Sequence, residues 1–165
     1  AYAGANGLPV VVCTTGLSDA QVNEIKEAAK KLAIFFSFNM SLGINLLVEL
    51  AQKAASILGD TFDIEIVEAH HNLKLESLSE PYAYEYNRHD RREKRPKKEI
   101  GMHSIRGGTI VGEHEVIFAG RDEVITLSHS ARSKAVFAAG AVNAAVYMAG
   151  KAPGLYNMKS LVESK

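Results

Sequence analysis

One stretch narrows the folds open to this chain more than any other: Asp63-Ile-Glu-Ile-Val-Glu-Ala-His70-His71-Asn72-Leu73-Lys74. Ile64 and Ile66 fall on one face of a period-two pattern, with Glu65 and Val67 on the other, which predicts a half-buried strand. That strand runs out into two histidines and a lysine. In open α/β sheets ligands bind beyond the carboxyl ends of the strands, so a polar trio at such an end is a candidate site. Adjacent side chains on an extended backbone point to opposite sides. At most one of the histidines is then placed for chemistry, and the other binds substrate or positions its neighbour. Taken alone, the same residues also describe a strand that ends in a polar turn.

The flanking sequence supplies α/β units ahead of this strand and a run of strands behind it. Residues 8–13 form a short apolar run, the mark of a strand buried on both faces in a parallel sheet, with Thr14-Thr15-Gly16 as its exit turn. Ser18 and Gln21 have the spacing of a capping box. Val22, Ile25, Ala29 and Leu32 then recur at helical spacing. Residues 33–36 read as a second apolar strand with Ser37-Phe38-Asn39-Met40 as its exit. A helix starts near Ser41 and carries an apolar face through Leu58, with Gly59 just past its end. After the central strand come four more stretches with strand character, at 82–86, 100–105, 109–119 and 123–129. Ala119-Gly-Arg-Asp122 is the turn of an antiparallel hairpin. Residues 132–148 form an alanine-rich helix, with Gly150 at its C-terminal cap and Pro153 soon after. The order predicts an α/β (α+β) chain with two structural regions. The second is a mixed sheet whose edges and spare face make it a candidate oligomer interface.

At 165 residues, 47% hydrophobic and formally uncharged, the chain has enough apolar surface for one ordinary core in one or two units. No apolar run approaches the ~20 residues of a membrane span, and the first residues lack the layout of a signal peptide, so a soluble, cytoplasmic protein is expected. The single cysteine, Cys13, cannot form an internal disulfide or a multi-cysteine metal site. His114-Glu115 lacks a second histidine at the spacing of a zinc protease, and no metal site is expected. Thr14 or Ser41 as a nucleophile would need a paired base that the sequence does not place. Residues 88–99 hold seven Lys or Arg against three Asp or Glu, which suggests phosphate or nucleic-acid binding. No stacking aromatics are interleaved there, and a solvated loop is the simpler reading.

Taken together, the Cys13-Thr14-Thr15-Gly16-Leu17-Ser18 turn, the Asn39-Met-Ser-Leu-Gly43-Ile-Asn45 helix start, the His-His-Asn-Leu-Lys segment and Gly107-Gly-Thr-Ile-Val-Gly112-Glu113-His114 resemble the dihydrodipicolinate reductase family of bacterial lysine biosynthesis, in order from about residue 7 to Leu161. The resemblance implies the remainder of a Rossmann-like dinucleotide-binding domain at 1–38 and a substrate-binding and tetramerisation domain at 39–130. It makes residues 131–165 a closing helix and tail that return to the first domain. It implies an NADH- or NADPH-dependent reductase that acts on a small cyclic dicarboxylate and assembles as a homotetramer, with neither nucleic acid nor membrane as a partner. The family's acid/base histidine falls on His70, its proton-donating lysine on Lys74, and a substrate-binding role on His71. The two nicotinamide-side loops fall on Cys13, Thr14 and Thr15, and on Ser37, Phe38, Asn39 and Met40, although Cys13 replaces the usual small residue.

The chain departs from that pattern twice. The family's opening strand, glycine-rich phosphate turn and ribose reader have no counterpart. Glycines 101, 107, 108 and 112 lie in a sheet pattern with no helix behind them to hold a pyrophosphate. Without that turn, these 165 residues by themselves are expected to be nearly inactive. The family's Asp-Ala-Pro-Ser-Gly-Thr-Ala segment, which grips a substrate carboxylate, is also missing after Lys74, where the sequence runs directly into Leu75-Glu-Ser-Leu-Ser-Glu-Pro81. If the segment has been closed over, one adjacent pair between residues 74 and 81 will stand farther apart than the ~3.8 Å of a trans peptide. A non-catalytic oligomerisation remnant is the alternative from another functional class. Loss of nicotinamide binding with retained assembly marks it out.

Overall fold

The computed structural model describes residues 2–69 and 82–164, which divide into two compact units. The first comprises residues 1–46 and 134–165, the second residues 47–133.

The first unit is built on a three-stranded parallel sheet of β1 (Val10–Val12), β2 (Ala33–Phe36) and β8 (Gly154–Tyr156), in the order β1-β2-β8. A short helix α1 (Tyr2–Ala5) precedes β1. Only β2 has all four residues buried, because it is the strand with a neighbour on each side. The expectation of a first strand buried on both faces is corrected accordingly: β1 is an edge strand and half-buried throughout. Helix α2 (Asp19–Ala29) connects β1 to β2. Its start is the expected capping box, in which the Ser18 side chain accepts from the Gln21 amide and Gln21 accepts from the Ser18 amide. Helix α4 (Ala135–Met148) turns Gly140, Ala144 and Met148 inward, four residues apart on one stripe. The first two are small enough to let the helix sit close to its neighbours. With Ala33, Phe35, Met40, Met158 and Leu161, Ala144 and Met148 form this unit's core. Sequence patterning had not pointed to β8 or to α5 (Met158–Glu163), whose start is capped reciprocally by Asn157 and Ser160.

Helix α3 (Leu42–Leu58) leads from the first unit into the second and ends in a 3-10 turn, Gly59–Thr61. The second unit is a five-stranded mixed sheet in the order β4-β5-β3-β6-β7, made of β3 (Asp63–Ala69), β4 (Ala83–Glu85), β5 (Glu99–Ser104), β6 (Gly112–Ala119) and β7 (Val124–Ala131). β3 lies at its centre, parallel to β5 and antiparallel to β6. β6 and β7 form the expected hairpin, closed by the Gly120 amide donating to the Glu123 carbonyl over 2.9 Å. The alternation read from sequence holds: Ile64 and Ile66 are buried, Glu65 and Val67 half-buried. Side chains across the ladder fall into rows. Ile100, Ile64, Phe118 and Ile125 make one, and Met102, Ile66, Val116 and Leu127 the next. Val48, Ala51, Ala54, Ala55 and Leu58 of α3 cover them.

The basic run does not form a free stripe. Arg95 donates to the Glu65 carboxylate, to the Ile64 carbonyl over 2.6 Å and to the Glu99 carbonyl over 2.7 Å, and lies 3.5 Å from Asp63. Arg88 pairs with buried Glu99 at 2.6 Å and Arg91 with Glu85 at 2.8 Å. These arginines strap the segment before β5 to the sheet. Gly101 belongs to the same arrangement, since a side chain there would occupy the space of the Glu65 carboxylate. Arg95→Ala removes the arginine paired with Glu65 and the donor to the Ile64 and Glu99 carbonyls. It is expected to cost about 3 kcal/mol, read as a lowered midpoint of chemical denaturation; an unchanged midpoint would contradict the strap.

Candidate active site

Parallel pairing puts the carboxyl ends of β1 and β2 side by side, with Val12 in register with Phe36, so that the two exit loops leave the same sheet edge next to each other. Cys13, Thr14 and Thr15, which follow β1, are exposed. The β2 exit is held by its own hydrogen bonds. Ser37 donates to the Asn39 carbonyl over 3.1 Å, the Asn39 side chain accepts from the Ser41 amide at 2.8 Å, and Asn45 donates to the carbonyls of Asn39 and Ser41. Ser41 also accepts from the Ile44 amide at 3.3 Å and so starts α3. Phe38 is 74% exposed and rests edge-on against Phe36 with ring centroids 5.1 Å apart, whereas Met40 is buried in the core. The structure therefore sets the two exit loops side by side on one edge of the first unit, with Met40 turned into the core.

The residue that shapes this edge without having been singled out is Gly140. A Cβ there would fall inside the van der Waals shell of the Met40 carbonyl oxygen, so α4 touches the β2 exit loop backbone to side-chain-free backbone. The signal was present as a glycine inside an otherwise alanine-rich helix, a position that usually has a packing reason.

In the second unit, β3 ends at Ala69, and His70, His71 and Lys74 lie outside the described residues, as does the expected break between residues 74 and 81. What surrounds the end of β3 is described. Glu68 is 4% exposed and His114, opposite it on β6, 6%. His129 on β7 faces His114, with ring centroids 6.1 Å apart. Burial pushes the His129 pKa below the usual imidazole value. The Glu68 carbonyl accepts from the Ile105 amide at 2.8 Å, and its carboxylate lies 4.0 Å from the Arg106 guanidinium. Sequence reading set His114 aside as a metal ligand, placed His129 in a strand and passed over Glu68 and Arg106, because alternation shows which face a residue takes but not what a charged one meets there. His103 lies on the other face, 2.7 Å from Glu65. Among the described residues, no group of three or more His, Cys, Asp or Glu is placed to hold a metal ion, and no helix is long and apolar enough to cross a membrane.

These features define a class: a partial dinucleotide-binding α/β unit joined in sequence to a mixed-sheet unit of the kind that serves substrate binding or oligomerisation. Comparison with known proteins narrows it. The model for the C-terminal region of dihydrodipicolinate reductases matches residues 43–162, and that for the N-terminal region matches residues 1–40. A 4-hydroxy-tetrahydrodipicolinate reductase of Caldanaerobacter subterraneus is 50% identical over 171 residues, covering 94% of this chain and 68% of the relative. One from Clostridium novyi is 46% identical over 179 residues, covering 99% and 71%. Both alignments run longer than the 165 residues here, so both relatives carry residues with no counterpart in this chain. The dipicolinate-bound dihydrodipicolinate reductase of Paenisporosarcina sp. TG-14 shares the fold with a TM-score of 0.68 at 23% identity; the similarity covers 94% of this chain and 64% of that one. The chain belongs to the dihydrodipicolinate reductase family, NAD(P)H-dependent oxidoreductases of lysine and diaminopimelate biosynthesis.

Gly140→Ala tests the packing at the cofactor edge. In an ordinary helix the change stabilises by up to about 1 kcal/mol. Here the methyl must displace the Met40 backbone, so it is expected to cost about 1–3 kcal/mol and to raise the KM for nicotinamide cofactor several-fold in the full-length enzyme. A more stable variant with parental cofactor KM would contradict the close approach.

Proposed function

We propose that the full-length protein reduces dihydrodipicolinate, or its 4-hydroxy-tetrahydro precursor after loss of water, to tetrahydrodipicolinate with NADH or NADPH. The observation that carries this reading is that the two family models together match residues 1–40 and 43–162, nearly the whole chain. The dicarboxylate bound to the Paenisporosarcina enzyme supports the substrate class.

The residues fit the nicotinamide end of the cofactor. Thr14 and Thr15 offer exposed hydroxyls, Phe38 an exposed aromatic ring and the Asn39 turn a rigid backbone, all on one edge. The phosphate and ribose grips have no counterpart among the described residues. Bound there, the cofactor supplies a hydride; the chain's own groups do the rest. Hydride addition to the unsaturated ring leaves negative charge that a proton must quench. Lys74 is assigned as the donor, since its ammonium complements both a carboxylate and the developing nitrogen charge. His70 is assigned as the acid/base group, because an imidazole exchanges protons near neutrality. His71 is assigned to substrate binding. Residues 39–130 would then bind the substrate and assemble the protein in the cytoplasm. The sheet face opposite α3, with Val67, Ile117 and exposed Val124, would pack against the same face of another subunit in a homotetramer.

In the full-length enzyme, Lys74→Ala is expected to lower kcat by roughly 10²-fold or more with cofactor affinity near parental, His70→Ala to behave alike, and His71→Ala to act mainly on KM. Steady-state kinetics with both substrates varied checks this. A Lys74→Ala enzyme that turns over at the parental rate, or that no longer binds cofactor, would overturn the assignment. Sedimentation at micromolar concentration should show a tetramer, and a monodisperse monomer would exclude the proposed interface.

A further inference from the structure

Strands β4, β5 and β3 of the second unit run parallel, so their carboxyl ends lie together at one end of the sheet. Ligands of α/β proteins bind beyond such ends. The face covered by α3 changes character on the way there. After two apolar rows come Ser104, Glu68, His114 and His129, in register across β5, β3, β6 and β7. Pairing runs one residue past β5, where the Ile105 amide donates to the Glu68 carbonyl over 2.8 Å. The next residue, Arg106, therefore stands beside the exit of β3.

Arg106 is held differently from the arginines that strap the basic run. Arg88, Arg91 and Arg95 meet carboxylates of the sheet within hydrogen-bond distance. Arg106 Nη1 donates to the Ile105 carbonyl at 3.0 Å, and Nη2 lies 4.0 Å from Oε1 of buried Glu68. At that separation the two charges oppose each other without a hydrogen bond, and the arginine side chain keeps 49% of its surface open. Gly107 and Gly108 follow, with open space where a side chain would stand on either. Gly108 needs to be glycine for its φ of 50°, but Gly107 lies outside the left-handed region. Among the described residues nothing crowds Gly107, and close approach of a ligand to the backbone is a use that a glycine still has there.

A guanidinium tethered on one side, half open and with room beside it suits a planar anion, because its fork matches the two oxygens of a carboxylate. We propose that Arg106 binds one carboxylate of the cyclic dicarboxylate substrate, with Glu68 as the group that holds the guanidinium at the sheet end. This rests on the proposed function for the substrate class and for its seat beyond the carboxyl end of β3.

The test is calorimetric binding of dipicolinate to the full-length enzyme at saturating nicotinamide cofactor, for the parent, Arg106→Lys, Arg106→Ala and the double variant Arg106→Ala/Glu68→Gln. Arg106→Ala should weaken dipicolinate binding by about 10- to 100-fold, as expected for losing a hydrogen-bonded charge pair, with cofactor affinity parental. Arg106→Lys should weaken it several-fold, since lysine keeps the charge but not the fork. The double variant removes the carboxylate that a merely structural Arg106 would serve, and should bind dipicolinate as poorly as Arg106→Ala. Parental affinity in Arg106→Ala or in the double variant overturns the proposal. Should those two not fold, Arg106→Lys decides, because it keeps a charge opposite Glu68, and parental affinity there overturns the proposal as well. A parent enzyme that binds cofactor but not dipicolinate removes the substrate class itself, and the proposal falls with it.

Discussion

The pairing of β3 on both sides determines what the second unit can present. Parallel to β5 and antiparallel to β6, with its register held over the whole strand, β3 has no freedom to slip, since a shift of one residue would send Ile64 and Ile66 to the outer face and Glu65 and Val67 beneath α3. The same register lines up Glu68 with His114 and Ser104 near the end of the strand. The strapping arginines reinforce this from below. Arg95 holds the segment before β5 to the starts of β3 and β5, at the end of the sheet away from the polar row.

The first unit reaches a comparable result by different means. Its sheet is small, and only β2 is fully covered, so the placement of the two exit loops depends on parallel pairing with β1 and on the contact between Gly140 and Met40. Hydrogen bonds within Ser37 to Asn45 make the β2 exit rigid before any ligand arrives. A loop that orders nothing on binding loses less affinity to entropy, which suits the nicotinamide-side role proposed for it.

Much of this was legible in the sequence, for identifiable reasons. β2 and β3 were marked by apolar runs and strict alternation, α2 by its Ser18–Gln21 box, and the β6–β7 hairpin by its turn. β1 was recognised but credited with too much burial, because an apolar run reports composition and not the number of neighbours a strand acquires. β8 is three residues just after Pro153, too short to show a period, and the Asn157 cap of α5 is answered by Ser160 where the familiar box has Glu or Gln. For the candidate site, the exit loops could be placed because strand ends can be read in one dimension. Glu68, Arg106 and Gly140 were missed because their significance lies in distant partners, Glu68 and Arg106 being 38 positions apart and Gly140 and Met40 100, which only register and helix packing reveal.

The central claim is that this chain carries the substrate side and the nicotinamide edge of a hydride-transferring reductase. Turnover of the full-length enzyme with a nicotinamide cofactor deuterated at the transferred position of C4, followed by mass analysis of the product, tests it most directly. The account predicts a tetrahydro dicarboxylate one mass unit heavier than that made with unlabelled cofactor, with the label bound to ring carbon and retained in water. A product formed without the label, or no product while the protein still assembles as a tetramer, would contradict it and leave an oligomerisation domain in its place.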